Sequence, residues 1–262
     1  MAGGAAVLAM NLTLAAGILY IFFSIGNFTI HQVVPRHIRI VTITTFGFGS
    51  RLNGGGDPGL IYGNSLQPRN ERQPGDGLRL YYTWGLWNRC GGYFKPSEPQ
   101  YCTETNWSFR FRPTEAILED IPVAAQSRAR SLLIDNNSDE IKSDKYLGTW
   151  SRIAFYFIFI SIAIVALMLI ISVSNSRSAG RLTFLSMTIL NFLAFLSGLI
   201  GAAIWTGIVG VLKAKLRHDE LGLRARFGNA IWILWGINGI LLISLFPYLG
   251  AIIRGRTKPA AV

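Results

Sequence analysis

Four long apolar runs without a single charged residue constrain this chain more than any other feature. Each run is long enough to cross a hydrocarbon core of about 30 Å, because a helix rises about 1.5 Å per residue. The composition agrees, since half of the residues are hydrophobic and only 15% are charged. The charge-free runs are residues 5–26, 153–173, 182–212 and 228–253. We therefore predict four transmembrane helices, with these bounds except that the second helix starts at residue 151.

The spans divide the rest of the chain into a short N-terminal segment (1–4), three loops (27–150, 174–181 and 213–227) and a tail (254–262). Lys and Arg near the span ends do not orient the chain, because five lie on each side of the predicted membrane.

The first loop supplies the orientation instead. It holds both cysteines of the chain, Cys90 and Cys102, and a lone pair twelve positions apart predicts a disulfide, which needs an oxidising compartment. The same loop carries glycosylation acceptor patterns at Asn106 and Asn136, whereas the similar pattern at Asn27 lies too near the first span. We expect an extracellular first loop and cytosolic termini. The inverted topology would leave the cysteines reduced.

The pattern of residues within the first loop predicts a small β-sheet. Stretches rich in β-branched and aromatic residues predict strands at 38–48 and 78–87, and an alternating stretch predicts another at 107–112. A helix is expected over 114–134, capped by Thr114 and interrupted by Pro122. Residues 51–77, dense in Gly, Pro, Asn and Asp, are typical of a flexible insertion. The third loop, basic over 213–226, has a helical pattern.

Residues 84–102 carry a resemblance to a known family. Trp84 precedes a Gly85-Leu86-Trp87 triplet, Cys90 follows three residues later, and Cys102 closes the segment. With four spans in this order, the chain resembles the claudin superfamily, and within it the SUR7/PalI branch of fungal cortical membrane proteins. The long first loop, the wide cysteine spacing and the position of Trp84 beside the triplet separate it from true claudins.

The resemblance implies a membrane-spanning all-α four-helix bundle with a small, disulfide-stapled extracellular β-sheet. It also implies that Gly85, Leu86 and Trp87 anchor the sheet on the helices.

Small residues in the third and fourth spans predict close helix packing, because lipid provides no hydrophobic drive between helices. We expect these small residues to pack helices together within one bundle. The alternative is that they form a dimer interface. The residues are Ala194, Gly198 and Ala202 on one stripe, Ala203 and Gly207 on a second, and Gly236 and Gly239 in the fourth span.

Basic residues on the predicted cytosolic side could hold anionic inner-leaflet lipids, although ordinary positive-inside anchoring also explains them. They are Arg177, Arg181, Arg254, Arg256 and Lys258.

The sequence contains no pattern that predicts catalysis. His31, His37 and His218 are far apart, without a carboxylate or cysteine at ligand spacing, so we expect no metal. No phosphate-binding glycine loop or nucleophile motif appears, and the span cores lack the charged residues of an ion path. We expect no enzyme activity, no cofactor and, despite a net charge of +11, no nucleic-acid partner.

Two functions remain from the sequence. The first is a multi-pass plasma-membrane protein that organises cortical membrane domains, as the resemblance to proteins of eisosomes implies, with links to endocytosis, cell-wall integrity or stress response. Its expected partners are the lipid bilayer, further copies of the chain and other cortical membrane proteins. The second is an accessory subunit of a signalling receptor or channel, similar to PalI in pH sensing or to channel gamma subunits. The short tail favours the first.

Overall fold

The computed structural model describes residues 3–27, 33–52, 54, 61–62, 77–93, 99–135, 144–174, 181–218 and 221–254. Within these ranges the chain forms long apolar helices, short loop helices and five short strands. In chain order they are α1 (Gly3–Ile25), α2 (Val33–His37), β1 (Val41–Thr44), α3 (Phe46–Leu52), β2 (Tyr81–Trp84), β3 (Arg89–Gly92), β4 (Tyr101–Cys102), α4 (Pro113–Asp120), α5 (Val123–Arg130), α6 (Asp144–Ser174), α7 (Arg181–His218), β5 (Arg224–Phe227) and α8 (Asn229–Arg254).

Among the described residues, four helices are long and apolar enough to cross a membrane, as predicted. The spanning stretches are Val7–Ile25, Asp144–Ser174, Leu182–Leu216 and Asn229–Ile253. The helices α6 and α7 extend furthest beyond the charge-free runs, because α6 begins at Asp144 and α7 ends at His218. The chain is therefore a multi-pass membrane protein.

The described residues group into two compact units. The membrane unit comprises Met1–Ser24, Ala154–Ala203 and Trp232–Val262, and the loop unit comprises Ile25–Ile153 and Ile204–Ile231. In the membrane unit, Ala9, Met168, Met187 and Tyr248 form a buried cluster. Close contacts at glycine bring helices together there: a Cβ on Gly17 would lie 3.0 Å from Leu169, and one on Gly201 would lie 2.5 Å from Ile158.

The loop unit is built on an antiparallel sheet with strand order β4-β3-β2-β1-β5. The predicted sheet is thus confirmed, but one of its strands comes from the third loop. The basic stretch after residue 213 is helical only to His218 and then forms β5, which pairs with β1 so that Val41 lies opposite Phe227. A four-residue strand is too short to show a periodic signal, so its neighbour β1 determines its conformation.

Other predicted elements of the first loop are altered by local contacts. The strand expected at 38–48 is limited to β1, since Phe46 begins α3. The strand expected at 107–112 does not form; instead the Phe111 backbone N–H donates to Ser151 Oγ of α6 at 2.9 Å. Most of the insertion expected at 51–77 lies outside the described residues.

Pro122 divides the predicted helix as expected, into α4 and α5. The expected cap is different, because Thr114 lies inside α4. The carboxylate of Asp144 takes that role, accepting the backbone N–H groups of Thr114 at 3.1 Å and Glu115 at 2.6 Å. A carboxylate is favourable there because the first turn of a helix has unsatisfied donors.

Candidate functional site

The Trp84–Trp87 segment ends β2 and leads through the turn to β3. Its first residue, Trp84, begins a series of buried aromatic contacts. Trp84, the last residue of β2, is 1% exposed and packs edge to face on Phe111, with 5.0 Å between ring centroids. Phe111 in turn lies 5.9 Å from the ring of Trp205 on α7. Two edge-to-face contacts therefore connect the sheet to α7, and each adds to the burial of these large rings.

Gly85 is required by a close approach to the end of α1. A Cβ on this residue would lie 2.6 Å from Asn27 Cβ and 2.7 Å from the Gly26 carbonyl oxygen. Leu86, beside it, is buried at 3% exposure. Any side chain at position 85 would push β2 away from the segment that follows α1.

Asn27 is the central residue of this contact, and sequence reasoning missed its role. It is fully buried and adopts φ +59°, a left-handed conformation that Asn tolerates better than most residues. Its amide Nδ2 donates to the Thr83 carbonyl, and its Oδ1 accepts from Thr83 Oγ1, both at 3.2 Å. The Gly-Asn pair after the first span was the available signal, because such residues commonly end helices.

Trp87 is half-buried and packs on Trp107, with 5.6 Å between ring centroids. Trp107 is 55% exposed, and Asn106 beside it is also exposed. The Asn106 backbone N–H donates to the Trp87 carbonyl at 2.9 Å, which fixes the loop next to the turn. The side chain of Asn106 is thus accessible for modification, whereas Asn136 lies outside the described residues.

The two cysteines form a disulfide, as predicted. Cys90 on β3 and Cys102 on β4 are direct partners across the antiparallel pair. The two-residue strand β4 lies at one edge of the sheet. A strand of that length has few ladder hydrogen bonds, so the covalent link holds it in register.

A buried ion pair holds α4 against the sheet. Arg79 Nε donates to Asp120 Oδ2 at 2.8 Å, and both side chains are almost fully buried. Tyr82 on β2 donates its hydroxyl to the same carboxylate oxygen at 2.8 Å, and the Arg79 guanidinium lies 4.3 Å from the ring centroid of Tyr101. Burial raises the pKa of Tyr82 well above its usual value, and the negative Asp120 raises it further. No sequence pattern connects these residues in advance.

Small residues of the third span divide into a buried and an exposed stripe. Ala194 and Ala202 are fully buried, and a Cβ on Gly198 would lie 2.7 Å from Asn238 Oδ1 and 2.9 Å from Tyr20 Oη. This stripe therefore lies where α7 meets its neighbours. Ala203, by contrast, is exposed.

Three of the glycines predicted to pack between helices have open space around them. Gly207 and Gly236 are exposed, Gly239 is half-buried, and no heavy atom among the described residues lies within 4 Å of where their Cβ atoms would stand. No helix among the described residues packs closely at these positions.

The basic residues expected to contact anionic lipids are mostly outside the described part of the chain. Arg181 begins α7 and Arg254 ends α8, but their side chains are not described, and Arg177, Arg256 and Lys258 fall in undescribed segments. Within the described ranges, no group of three or more His, Cys, Asp or Glu side chains could hold a metal ion.

The sequence matches a protein-family model over most of its length. The model of the SUR7/PalI family matches residues 5–246, which is nearly the whole chain and includes the first three spans, the disulfide-stapled loop and most of the fourth span. No curated protein matches the sequence.

Proposed function

The chain belongs to the SUR7/PalI family, and from this premise we propose that it is a non-enzymatic plasma-membrane protein whose copies cluster and organise domains of the cell cortex. The family is not a known enzyme family. In this proposal the protein acts through lateral contacts in the bilayer.

The open glycine face of α8 is the main support for clustering. Gly236 and Gly239 lie beside large exposed apolar side chains on the same helix, among them Trp232 at 69% and Ile243 at 56% exposure. A small residue flanked by larger ones lets a second helix approach closely, which is how membrane helices associate. Gly207 on α7 offers a further open position.

The loop unit also exposes apolar side chains, to which the proposal gives a role in lateral contact. Several large apolar side chains project from it into solvent, including Phe46 at 77% exposure, Val123 at 83% and Trp107 at 55%. Exposed apolar groups on a domain braced by a disulfide and a buried ion pair suit contact with a neighbouring protein.

The proposal places the loop unit outside the cell and both termini in the cytosol, and the disulfide supports that topology because it needs an oxidising compartment. In a chain whose Asn136 is already replaced, glycosylation at Asn106 should add mass that an endoglycosidase removes. The further substitution Asn106→Gln should abolish this mass difference. The basic side chains that would face the cytosolic leaflet and its anionic lipids are Arg177, Arg181, Arg254, Arg256 and Lys258.

The first experiment is photobleaching of a fluorescently tagged copy at the surface of the native cell. The organiser proposal expects stable plasma-membrane patches whose fluorescence recovers slowly. A diffuse signal that recovers quickly, or a signal confined to internal membranes, would contradict it and favour an accessory subunit of a receptor or channel.

A variant connects the patches to the glycine face. The double substitution Gly236→Leu/Gly239→Leu should disperse the patches, because the added side chains keep a second helix away, without unfolding the chain. Leu249→Phe is the matched control, since it adds bulk at another exposed position of α8. Equal dispersal by both would mean that the glycine face has no special role.

A further inference from the structure

An open cleft of about 800 Å³ runs along β5, at the edge of the sheet opposite β4. Cationic side chains from three different elements line it: Arg51 of α3, Lys213 of α7, and Arg224 and Arg226 of β5. No acidic side chain of the described residues lines the cleft. The volume is within the range of small-molecule sites, which are commonly about 300–1,000 Å³.

The geometry of β5 directs its two arginines to the same side. Residues two apart on a strand share a face, and Arg224 and Arg226 are both exposed while Ala225 between them is buried. Because β5 is an edge strand, one side of its backbone has no partner strand among the described residues. Two neighbouring guanidinium groups can bind one phosphate, because each can donate two parallel N–H hydrogen bonds to its oxygens.

Two glycines hold the far end of the cleft in place. Gly222 has φ +74°, and a Cβ on it would lie 2.5 Å from the Gly47 carbonyl carbon. This backbone contact holds the seven-residue helix α3, whose last turn carries Arg51, close to the segment that leads into β5. The position of Arg51 near the β5 arginines thus follows from a close backbone crossing.

Two residues that line the cleft stand next to charge-free runs in the sequence. Lys213 is the first charged residue after residues 182–212, and its Nζ lies 5.6 Å from the ring centroid of Phe227, just before α8 begins. A cation and an aromatic ring at this level are typical of the headgroup region of a bilayer.

We propose that the β5 cleft binds the phosphate group of an anionic ligand, carried by a lipid headgroup or by a free phosphate compound. The inference goes beyond the clustering proposed above and does not depend on it. Charged residues on an edge strand also prevent pairing with another chain. If that were their only role, substitution would change the oligomeric state and leave phosphate binding intact.

The test uses the full chain purified in a neutral detergent and titrated with dioctanoyl phosphatidic acid, dioctanoyl phosphatidylcholine or inorganic phosphate, with binding measured by native mass spectrometry and thermal shift. We expect saturable binding of phosphatidic acid in preference to phosphatidylcholine. If inorganic phosphate competes at similar concentrations, the ligand is a free phosphate compound. If inorganic phosphate does not compete, the ligand is the lipid headgroup.

The substitution Arg224→Gln/Arg226→Gln should weaken binding about 25-fold, since each cation near a charged surface contributes about fivefold. The control Arg130→Gln/Lys145→Gln removes the same charge from exposed positions outside the cleft and should change the affinity less than twofold. Should the first variant fail to fold, Lys213→Gln is expected to weaken binding about fivefold. Equal effects of the cleft and control variants, or no binding to the wild type, would overturn the proposal.

Discussion

The membrane unit and the loop unit are stabilised by different interactions. In the membrane unit, neutral polar groups join the helices: Tyr20 and Ser161 share a hydrogen bond of 2.6 Å, and Asn191 Nδ2 donates to Ser244 Oγ at 2.8 Å. The loop unit instead uses a disulfide, a buried ion pair and packed aromatic rings. Charged side chains are costly inside a bilayer, so the polar groups that join membrane helices are neutral. A small domain in water has a small hydrophobic core and needs strong cross-links to supplement it.

The difference predicts that single substitutions weaken one unit at a time. Unfolding in detergent can follow the loop unit by fluorescence, because five of the seven tryptophans, at positions 84, 87, 107, 150 and 205, belong to it. Circular dichroism reports mainly on the long helices. A shared loss in both signals would show that the units unfold together.

The largest effect should follow from Asp120→Ala. The substitution leaves the Arg79 guanidinium buried without its counter-charge, which costs about 3–5 kcal/mol of unfolding free energy. The measurement is denaturant unfolding monitored by tryptophan fluorescence. Glu115→Ala is the control, because its ion pair with Arg112 is partly exposed and should contribute no more than about 1 kcal/mol. Similar losses in the two variants would show that the buried pair contributes little.

The next effect is expected from Cys90→Ser/Cys102→Ser. Without the disulfide the unfolded loop regains conformational freedom, and we expect a loss of about 2–4 kcal/mol confined to the loop unit. Limited proteolysis should then cut near β4 before it cuts the helices. An unchanged fluorescence midpoint would mean that β4 is held in place without the covalent link.

A smaller effect in the membrane unit should follow from Gly198→Ala. The added methyl group would meet Asn238 Oδ1 and Tyr20 Oη, and overpacking of this kind costs about 1–3 kcal/mol. The loss should appear in the thermal midpoint followed by circular dichroism. Gly236→Ala, at an open position of α8, should leave that midpoint unchanged or raise it. If both glycines tolerate alanine equally, the buried stripe is less tightly packed than its contacts indicate.

The smallest effect concerns pH. Because the pKa of Tyr82 is raised by burial and by Asp120, the folded chain keeps this proton when the unfolded chain loses it. Its contribution is present below about pH 10, the ordinary pKa of tyrosine, and is lost as the pH rises further. The thermal midpoint of the loop unit should therefore fall above about pH 10, and less steeply in Tyr82→Phe. An equal slope in both would assign the fall to other groups, such as Tyr62, whose pKa burial also raises.

Several features followed from the sequence because their signals are local. The length and lack of charge of the four runs determine the spans, since a bilayer requires both. The two cysteines could pair only with each other, and Pro122 divides its helix because it lacks a backbone N–H.

Only the tertiary structure decided the rest, because those features depend on residues far apart in the chain. β5 is a strand because β1 pairs with it, and Asp120 is buried because Arg79 balances its charge. The sequence likewise does not distinguish the buried Gly198 from the open Gly236, since each is a glycine in an apolar helix. The difference arises from the neighbouring helices, which leave space at one position and fill it at the other.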